Sequence, residues 1–340
     1  LNGSRYSRQT LFQPIGENGQ HKLLQKHVLI IGAGALGTGN AEAFVRAGVG
    51  KITIIDRDYV EWSNLQRQQL YCENDALNRI PKAVAAKDRL QKINSEVEIE
   101  ALIMDAAPKE LLHYGKNVDL IIDATDNFDT RMIINDVSQA YNIPWIYGAC
   151  VGSYGISFTI IPGVTPCLHC LMNHIPIGGL TCDTAGIISP AVSMVVSNQT
   201  AEGLKVLVED WDALRNGVIS FDLWKNDFTR LDLSKLKKDD CPSCGNHPTF
   251  PYLQFENQMK TAVLCGRDSV QIRPASPQKL DLEEVAGRLE GKGGNVKQNP
   301  YLISFTIGTQ RMVLFQDGRA LIHGTKDIKE AKSFYHRYLG

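Results

Sequence analysis

Three stretches of this chain carry residues whose types and spacing can do chemistry. In Val28-Leu-Ile-Ile-Gly-Ala-Gly-Ala-Leu-Gly37, four apolar residues of strand character run into Gly32, Gly34 and Gly37, and Thr38 to Ala47 can continue as a helix with Ala41, Phe44 and Val45 turned inward. A strand, a glycine turn and a helix start, in that order, make a phosphate-binding corner. Gly32 permits the tight turn, Gly34 lets the backbone approach a phosphate, and Gly37 lets helix and strand pack closely, while unpaired N–H groups at the helix start face anionic oxygens. The next strand, Lys51 to Ile55, ends in Asp56, placed to accept hydrogen bonds from ribose hydroxyls. The glycine pattern alone reads equally well as the corner of a nicotinamide dehydrogenase.

Residues beyond Asp56 separate the two. A triphosphate calls for amide and cationic groups just past the ribose acid, and Asn64 and Arg67 of Ser63-Asn-Leu-Gln-Arg-Gln68, with Lys82 beyond a loop, supply them. Lys82 follows Pro81 at the head of a helix whose apolar stripe is Ala83, Ala86, Leu90 and Ile93. A lysine there opposes the helix dipole, so it is either answering a nearby anion or a solvated surface residue. Val118-Asp-Leu-Ile-Ile-Asp-Ala-Thr-Asp-Asn127 is a short buried strand ending in Asp123 and Asp126, at the strand edge where ligands of open α/β sheets collect. Asp126 is the expected Mg²⁺ partner, because a hard cation bridging phosphates takes one or two carboxylates. The competing reading makes Asp126 the cap of a helix starting near Asn127; both roles coexist if Asp123 is the cap.

A second chemistry is metallic. Cys167-Leu-His-Cys170 and Cys241-Pro-Ser-Cys244 each hold two cysteines at the spacing that brings two thiolates to one ion, and two such pairs complete a tetrahedral sulfur shell. Four thiolates favour Zn²⁺, and a closed four-sulfur site is structural. A redox disulfide would have to explain both pairs. His169 reads as a surface residue or one just outside the ligand shell.

Together these residues resemble the family of ubiquitin-activating-like adenylyltransferases that serve sulfur-carrier proteins, the ThiF and MoeB proteins, from Arg5-Tyr-Ser-Arg8-Gln9 to Gly245. The resemblance implies ATP-dependent attack of a carrier's terminal glycine carboxylate on the α-phosphorus, giving an acyl adenylate and pyrophosphate in thiamine or molybdopterin synthesis. It implies that Gly34 and Asp56 hold the adenosine end, Asn64, Arg67 and Lys82 the phosphates, and Asp126 the magnesium. It further implies that Arg8 reaches the active site of a neighbouring subunit, making a homodimer; from the residues alone Arg8 is an exposed charge on a flexible arm. Gly178-Gly-Leu-Thr-Cys-Asp-Thr-Ala-Gly186 resembles the loop that covers the carrier's tail, and Cys182 matches a cysteine used there for sulfur transfer or carrier linkage. The implied partners are a small ubiquitin-like protein ending in Gly-Gly, ThiS-like or MoaD-like, and a sulfur donor such as a cysteine desulfurase.

Composition agrees with these readings. The chain has 340 residues, 43% hydrophobic and 21% charged, with net charge −1, which offers no overall basic surface for nucleic acid. No apolar run is long enough to span a bilayer and no signal peptide opens the chain, so a cytoplasmic protein is expected; Leu1 to Ser4 lacks an initiator Met and reads in part as non-native. Eight cysteines, four of them in the two metal-like pairs, suit a reducing compartment.

The expected fold is α/β. A Rossmann-like, mainly parallel sheet uses Val28 to Ile31, Ile52 to Ile55, Ile99 to Ile103, Leu120 to Ile122 and Trp145 to Tyr147, followed by Ile156 to Ile161. An antiparallel extension takes Phe221 to Lys225 and Thr229 to Leu233, and Pro190 to Val208 is apolar on most faces, a buried or dimer-facing helix. Residues 5–250 should form the ThiF/MoeB-like domain with its zinc site, and 251–340 a small α/β module. In that module Cys265 is the lone thiol, read as structural, and no active-site loop is evident. Two other functions stand beside the adenylyltransferase. An NAD-dependent oxidoreductase would need an acid/base near the ring, for which no candidate is found, and a non-catalytic zinc-stabilised carrier-binding protein would show no ATP dependence.

Overall fold

Apolar β-branched runs make the first sheet. The computed structural model describes residues 5–172, 185–257, 261–263, 269–272 and 279–339. Strands β1 (His27–Ile31), β2 (Lys51–Asp56), β3 (Glu98–Ile103), β4 (Leu120–Asp123), β5 (Trp145–Val151), β6 (Tyr154–Ile160), β7 (Val218–Asp222) and β8 (Asp227–Leu231) form one sheet in the order 3-2-1-4-5-6-7-8. The first five are parallel to their neighbours, and β5 to β8 turn back on one another antiparallel. β1 is thus flanked by β2 on one side and β4 on the other. Where strand order reverses in this way, the helices leave to opposite faces and a crevice opens at the carboxyl ends.

Helices connect and cover the strands: α1 (Ser7–Thr10), α2 (Gly16–Leu23), α3 (Ala35–Ala47), α4 (Glu73–Leu77), α5 (Lys82–Ile93), α6 (Pro108–Tyr114), α7 (Phe128–Tyr141), α8 (Leu168–Leu171) and α9 (Ser189–Val208). The expected long apolar helix is α9, and it packs on α3, β5 and β6. Its buried face is Ala191, Val192, Val195, Gln199, Glu202, Gly203 and Val206, while Ser193, Ser197 and Ala201 on the other face are exposed. α5 starts at Lys82 with Ala83, Ala86 and Leu90 in the core, as the stripe requires.

The arm before α2 is anchored, contrary to the expectation of a flexible segment. Tyr6 is buried, and its hydroxyl accepts a hydrogen bond from Asn94 Nδ2 at 2.9 Å. Its ring lies against Gly48, which closes α3 in the left-handed region (φ 81°); a Cβ there would stand 2.5 Å from the ring. Gln9 Nε2 donates to Ala47 O at 2.9 Å.

Two further departures have local causes. β7 begins at Val218, and Trp224 and Lys225 leave the expected strand because the Asp222 carboxylate accepts from their backbone N–H groups at 3.1 and 3.3 Å, closing a turn. α3 begins at Ala35 rather than Thr38, directly on the glycine turn.

The chain divides into two compact units, Leu1–Leu77 with Pro81–Gln254, and Asn78–Ile80 with Phe255–Gly340. In the second, strands Thr261–Val263, Ser269–Ile272, Asn295–Gln298, Leu302–Ile307, Gln310–Phe315 and Ala320–His323 form an antiparallel sheet. Helices Leu282–Glu290 and Ile328–Leu339 bring Val285, Leu289, Ala331 and Phe334 into one core with Phe305, Leu314 and Ile322. Cys265 lies outside the described residues. No helix among the described residues is long and apolar enough to cross a membrane.

Candidate functional site

Register brings the chemical residues to one edge. Ile31 lies opposite both Ile55 and Asp123, and Asp56 opposite Ile103, so β1, β2 and β4 deliver their last residues to the same crevice. Gly32 adopts φ +97°, and a Cβ there would meet Ala124 O at 2.5 Å; a Cβ on Gly37 would stand 1.9 Å from Gly32 O. Both glycines are therefore required by packing. Gly34 differs: its φ is −79°, and the nearest atom to an added Cβ would be Gln68 Nε2 at 3.9 Å. It caps α3 without a side chain, so no capping side chain answers the first-turn N–H groups among the described residues. An open corner with unanswered donors at a helix start suits an anion.

Asp56 locks this corner. One carboxylate oxygen accepts from Ala33 N and the other from Asp58 N, both at 2.6 Å. Desolvation pushes its carboxyl above the usual range, against the attraction of Lys82. By sequence Asp56 is a ribose ligand; in the fold it also fixes the glycine loop, with further lone pairs left for a ligand hydroxyl. Lys82 is 4% exposed, which removes the reading of a solvated surface lysine. Its Nζ lies 3.5 Å from Asp58 Oδ2 and its backbone N donates to Asp58 O at 2.9 Å. The Tyr71 hydroxyl lies 2.7 Å from Ala33 O and 3.1 Å from Lys82 O, tying the glycine loop to the start of α5.

Asn64 is buried in a 3-10 turn, Trp62–Asn64, where its Oδ1 accepts from Glu61 N at 3.0 Å. Its carbonyl is thus engaged in shaping the turn. Arg67 Nη1 donates to Ser63 O at 2.9 Å, which aims the guanidinium along the same turn. Arg67 also lines a groove of about 380 Å³ whose other walls include Ala35 and Gly39 of α3.

On the β4 side the capping expectations are corrected. Asn127 caps α7, accepting from Thr130 N at 2.8 Å, so neither Asp126 nor Asp123 is the cap. Asp126 is exposed at the strand edge. Asp123 is fully buried: Oδ1 accepts from Thr125 N and Oγ1 at 2.9 and 2.7 Å, and Oδ2 from Arg131 Nε at 3.0 Å. Burial raises its carboxyl even against Arg131. Arg131 also reaches Thr125 O at 2.8 Å and stands over the Tyr147 ring at 5.1 Å. Arg57 lies nearby, paired with Asp105 at 3.1 Å; burial lowers its affinity for the proton, but Asp105, Asp58 and Asp126 together raise it.

Arg131, Arg57, Tyr71, Asn40 and Gln199 were not anticipated. Gln199 Nε2 donates to Asp123 O and Ile146 O at 2.8 and 3.1 Å, and its Oε1 accepts from Asn40 Nδ2 at 2.8 Å. The available signal was polarity at core positions: Asn40 follows Leu36, and Gln199 follows Val195, each by one helical turn toward the interior.

Arg8 is exposed on α1. Because Gln9 bonds to the last residue of α3, Arg8 lies near the end of that helix opposite the glycine corner, about 20 Å away at 1.5 Å per residue. Cys182 lies outside the described residues.

The four paired cysteines converge. Their sulfurs all lie within 4.8 Å of one another, with Cys167–Cys170 at 3.9 Å, Cys167–Cys241 at 3.6 Å and Cys170–Cys244 at 3.5 Å. Four sulfurs about 2.3 Å from a central Zn²⁺ would be about 3.8 Å apart, so the quartet fits that ion. Hydrogen bonds to Cys170 and Cys241 push the Cys167 thiol up, while the bond to Cys167 lowers Cys170 to about 6. The third turn of α7 braces both halves: Asn135 Oδ1 accepts from Leu168 N at 2.8 Å and Asp136 Oδ2 from Tyr252 N at 2.9 Å. His169 is half-buried against the Tyr252 ring.

A glycine-turned helix start at a topological switch point, with Asp56 bonded to its loop, Lys82 paired with Asp58 and Asp126 exposed after β4, is the arrangement of a nucleotide-binding α/β protein, here with a four-cysteine cluster. Residues 6–243 match the ThiF family. The sulfur carrier protein ThiS adenylyltransferase of Bacillus subtilis is 55% identical over 337 residues, covering 99% of each chain. The molybdopterin-synthase adenylyltransferase of Escherichia coli is 33% identical, covering 71% of this chain and 96% of its own. Among solved structures, E. coli MccB with ATP shares the fold at TM-score 0.62 and 23% identity, covering 72% of this chain and 75% of that one. The chain belongs to the ThiF family. It is accordingly an enzyme of the nucleotidyltransferase class, and ATP use goes with that class.

Proposed function

We propose that this protein uses ATP to adenylate the C-terminal glycine carboxylate of a small ubiquitin-like sulfur carrier ending in Gly-Gly, releasing pyrophosphate. The thiamine branch is favoured by the whole-length similarity to a ThiS adenylyltransferase; a MoaD-like carrier of the molybdopterin branch is the second substrate to try. The observation that carries the reading is the convergence of the open Gly34 corner, the Asp56–Asp58–Lys82 chain and exposed Asp126 on one strand edge.

The carrier's carboxylate is ionised at neutral pH, so no protein nucleophile is needed. The N–H groups of α3 and the Gly34 backbone hold the phosphate chain, Asp56 orients the ribose, and Asn64 shapes the turn that presents Arg67. Arg67 and Lys82 stabilise the charge that builds on the departing pyrophosphate, in a site where fixed cations need no reorganisation. A divalent cation such as Mg²⁺, held by Asp126, would supply further neutralisation of the phosphates. Arg8 cannot serve its own chain's site across the length of α3, which supports a homodimer in which it serves the partner's. Cys182 would attack the carrier's acyl adenylate to form a thioester with release of AMP, or take the outer sulfur of a cysteine desulfurase's persulfide and leave the desulfurase thiol free, in the cytoplasm.

The decisive experiment is ATP–pyrophosphate exchange with purified carriers. Exchange should require a ThiS-like or MoaD-like protein and vanish when its terminal glycine is removed. Exchange that proceeds with no carrier present, or that fails with both carriers, overturns the reading.

Zn²⁺ in the cysteine quartet would be structural, cross-linking segments 74 residues apart. Purified protein should hold about one zinc per chain, the occupancy of a closed tetrathiolate site. Cys244→Ser should lose it and melt about 5–10 °C lower, since a domain of this size shifts about 2–4 °C per kcal/mol. Full melting temperature without zinc would remove the assignment.

A further inference from the structure

Asn299 uses every donor and acceptor of its side-chain amide. It stands in the turn joining the strands Asn295–Gln298 and Leu302–Ile307 of the second unit, where its Oδ1 accepts from Tyr301 N and Leu302 N at 2.9 and 3.0 Å. An aspartate would close that turn equally well. The Nδ2 group does what the turn does not require: it donates to Asn78 O and Arg79 O at 2.9 and 3.1 Å, 221 and 220 residues earlier in the chain. Asn78–Ile80 fold with the second unit as a short strap, and the chain rejoins the first unit at Pro81. Arg79 is held in the left-handed region, φ 49°, which a non-glycine residue keeps only where its surroundings impose it.

Lys82 follows this strap at once. Ile80 precedes a proline, which disfavours helical backbone there, and Pro81 has its φ fixed by its ring, at −54°. The link from Arg79 to Lys82 is therefore stiff, and it is at most about 11 Å long. At its far end Pro81 bridges Tyr59, and Lys82 N donates to Asp58 O at 2.9 Å, with Lys82 Nζ beside Asp58 Oδ2. A restraint on Arg79 O thus reaches the ammonium with little slack.

We propose that Asn299 is a positioning residue for adenylation: its amide holds the Asn78–Ile80 strap and so sets where Lys82 presents its charge. This gives the second unit a part in the reaction. The inference rests on the reading in which Lys82 meets the departing pyrophosphate.

Asn299→Asp keeps the acceptor that closes the turn and removes the two donors. In the full-length protein it should lower kcat of carrier-dependent pyrophosphate exchange about tenfold, less than loss of Lys82 itself, with the carrier's KM unchanged. In a Lys82→Met background the same change should have no further effect, because the group it acts through is gone. Amide hydrogen exchange of the ligand-free proteins, read by mass spectrometry, should quicken about tenfold at Lys82 N–H and keep the wild-type rate in the strand Leu302–Ile307. Asn299→Ala, which opens the turn as well, should quicken both. An unchanged kcat, or an unchanged Lys82 amide, overturns the proposal. A loss that persists in full in Lys82→Met assigns Asn299 to the fold at large and overturns it too. If wild type shows no carrier-dependent pyrophosphate exchange, the adenylation reading fails and takes the positioning claim with it; the amide measurement distinguishes that failure from a slack strap.

Discussion

Arg67→Ala is expected to slow carrier-dependent pyrophosphate exchange about a hundredfold or more, the usual effect of removing one donor that meets charge developing in a transition state. Lys82→Met should do the same. The two differ in what else they disturb. Arg67 is half-buried, and within the protein its guanidinium answers Ser63 O of its own turn, so truncation leaves the fold intact and the melting temperature within about 2 °C, as for a surface change below 0.5 kcal/mol. Lys82 is buried beside Asp58, so its loss leaves a carboxylate facing Asp56 with less compensation. Methionine keeps the stem packed while deleting the charge, and some destabilisation is expected alongside the rate loss. Bound ATP should oppose neither change, because the phosphates are the partners being deprived. The measurement is exchange rate against carrier concentration at saturating ATP, paired with thermal melts. A folded Arg67→Ala enzyme with near-normal rate would detach that residue from the chemistry.

Much of this site was legible because its residues announce themselves locally. The strand-to-glycine transition at Ile31–Gly32 and the acid closing β2 are patterns within a few residues. The Pro81–Lys82 helix start is another, though the sequence left Lys82 open between an anion's partner and a solvated residue, and the fold decides it by burying the side chain. The cysteine pairs are legible in halves, and joining them across 74 residues needs only the rule that two thiolates do not complete a zinc shell. What escaped is non-local or unpatterned. Gln199 reaches Asp123 O across 76 residues, and no spacing encodes that. Helix α1 is a single turn, too short to show a period. The edge strand Asn295–Gln298 is exposed and polar, without the alternation that a buried face imposes. Trp224 and Lys225 looked like strand by composition, and one carboxylate at Asp222 bent them into a turn.

The largest effect on stability is expected from Arg131→Met. Asp123 is fully buried, and Arg131 is the cation that offsets its charge. Removing one partner of a buried pair costs about 3–5 kcal/mol, because the other is left charged in a medium that solvates it poorly. Thr125 still donates twice to Oδ1, which places the expected loss toward the lower end of that range. The deficit should depend on pH with a definite sign. Burial already holds the Asp123 carboxyl above its ordinary 3.8, and without Arg131 it rises further, so the folded variant takes up its proton before the unfolded chain does. The deficit is therefore full above the variant's raised folded value, shrinks as pH falls from there to the wild type's own raised value, and changes no further below it, leaving the part due to the hydrogen bond from Arg131 to Thr125 O. Asp123→Asn combined with Arg131→Met should cost less than the sum of the two single changes, since the double variant buries no charge. Denaturant unfolding across pH reads both results. The same arginine binds Thr125 O, one residue before Asp126, so the variant should also need more Mg²⁺ for half-maximal exchange. An Arg131→Met protein with wild-type unfolding and wild-type Mg²⁺ dependence would mean that the turn carrying Asp126 holds its shape unaided, and the buried pair would then have no part in positioning it.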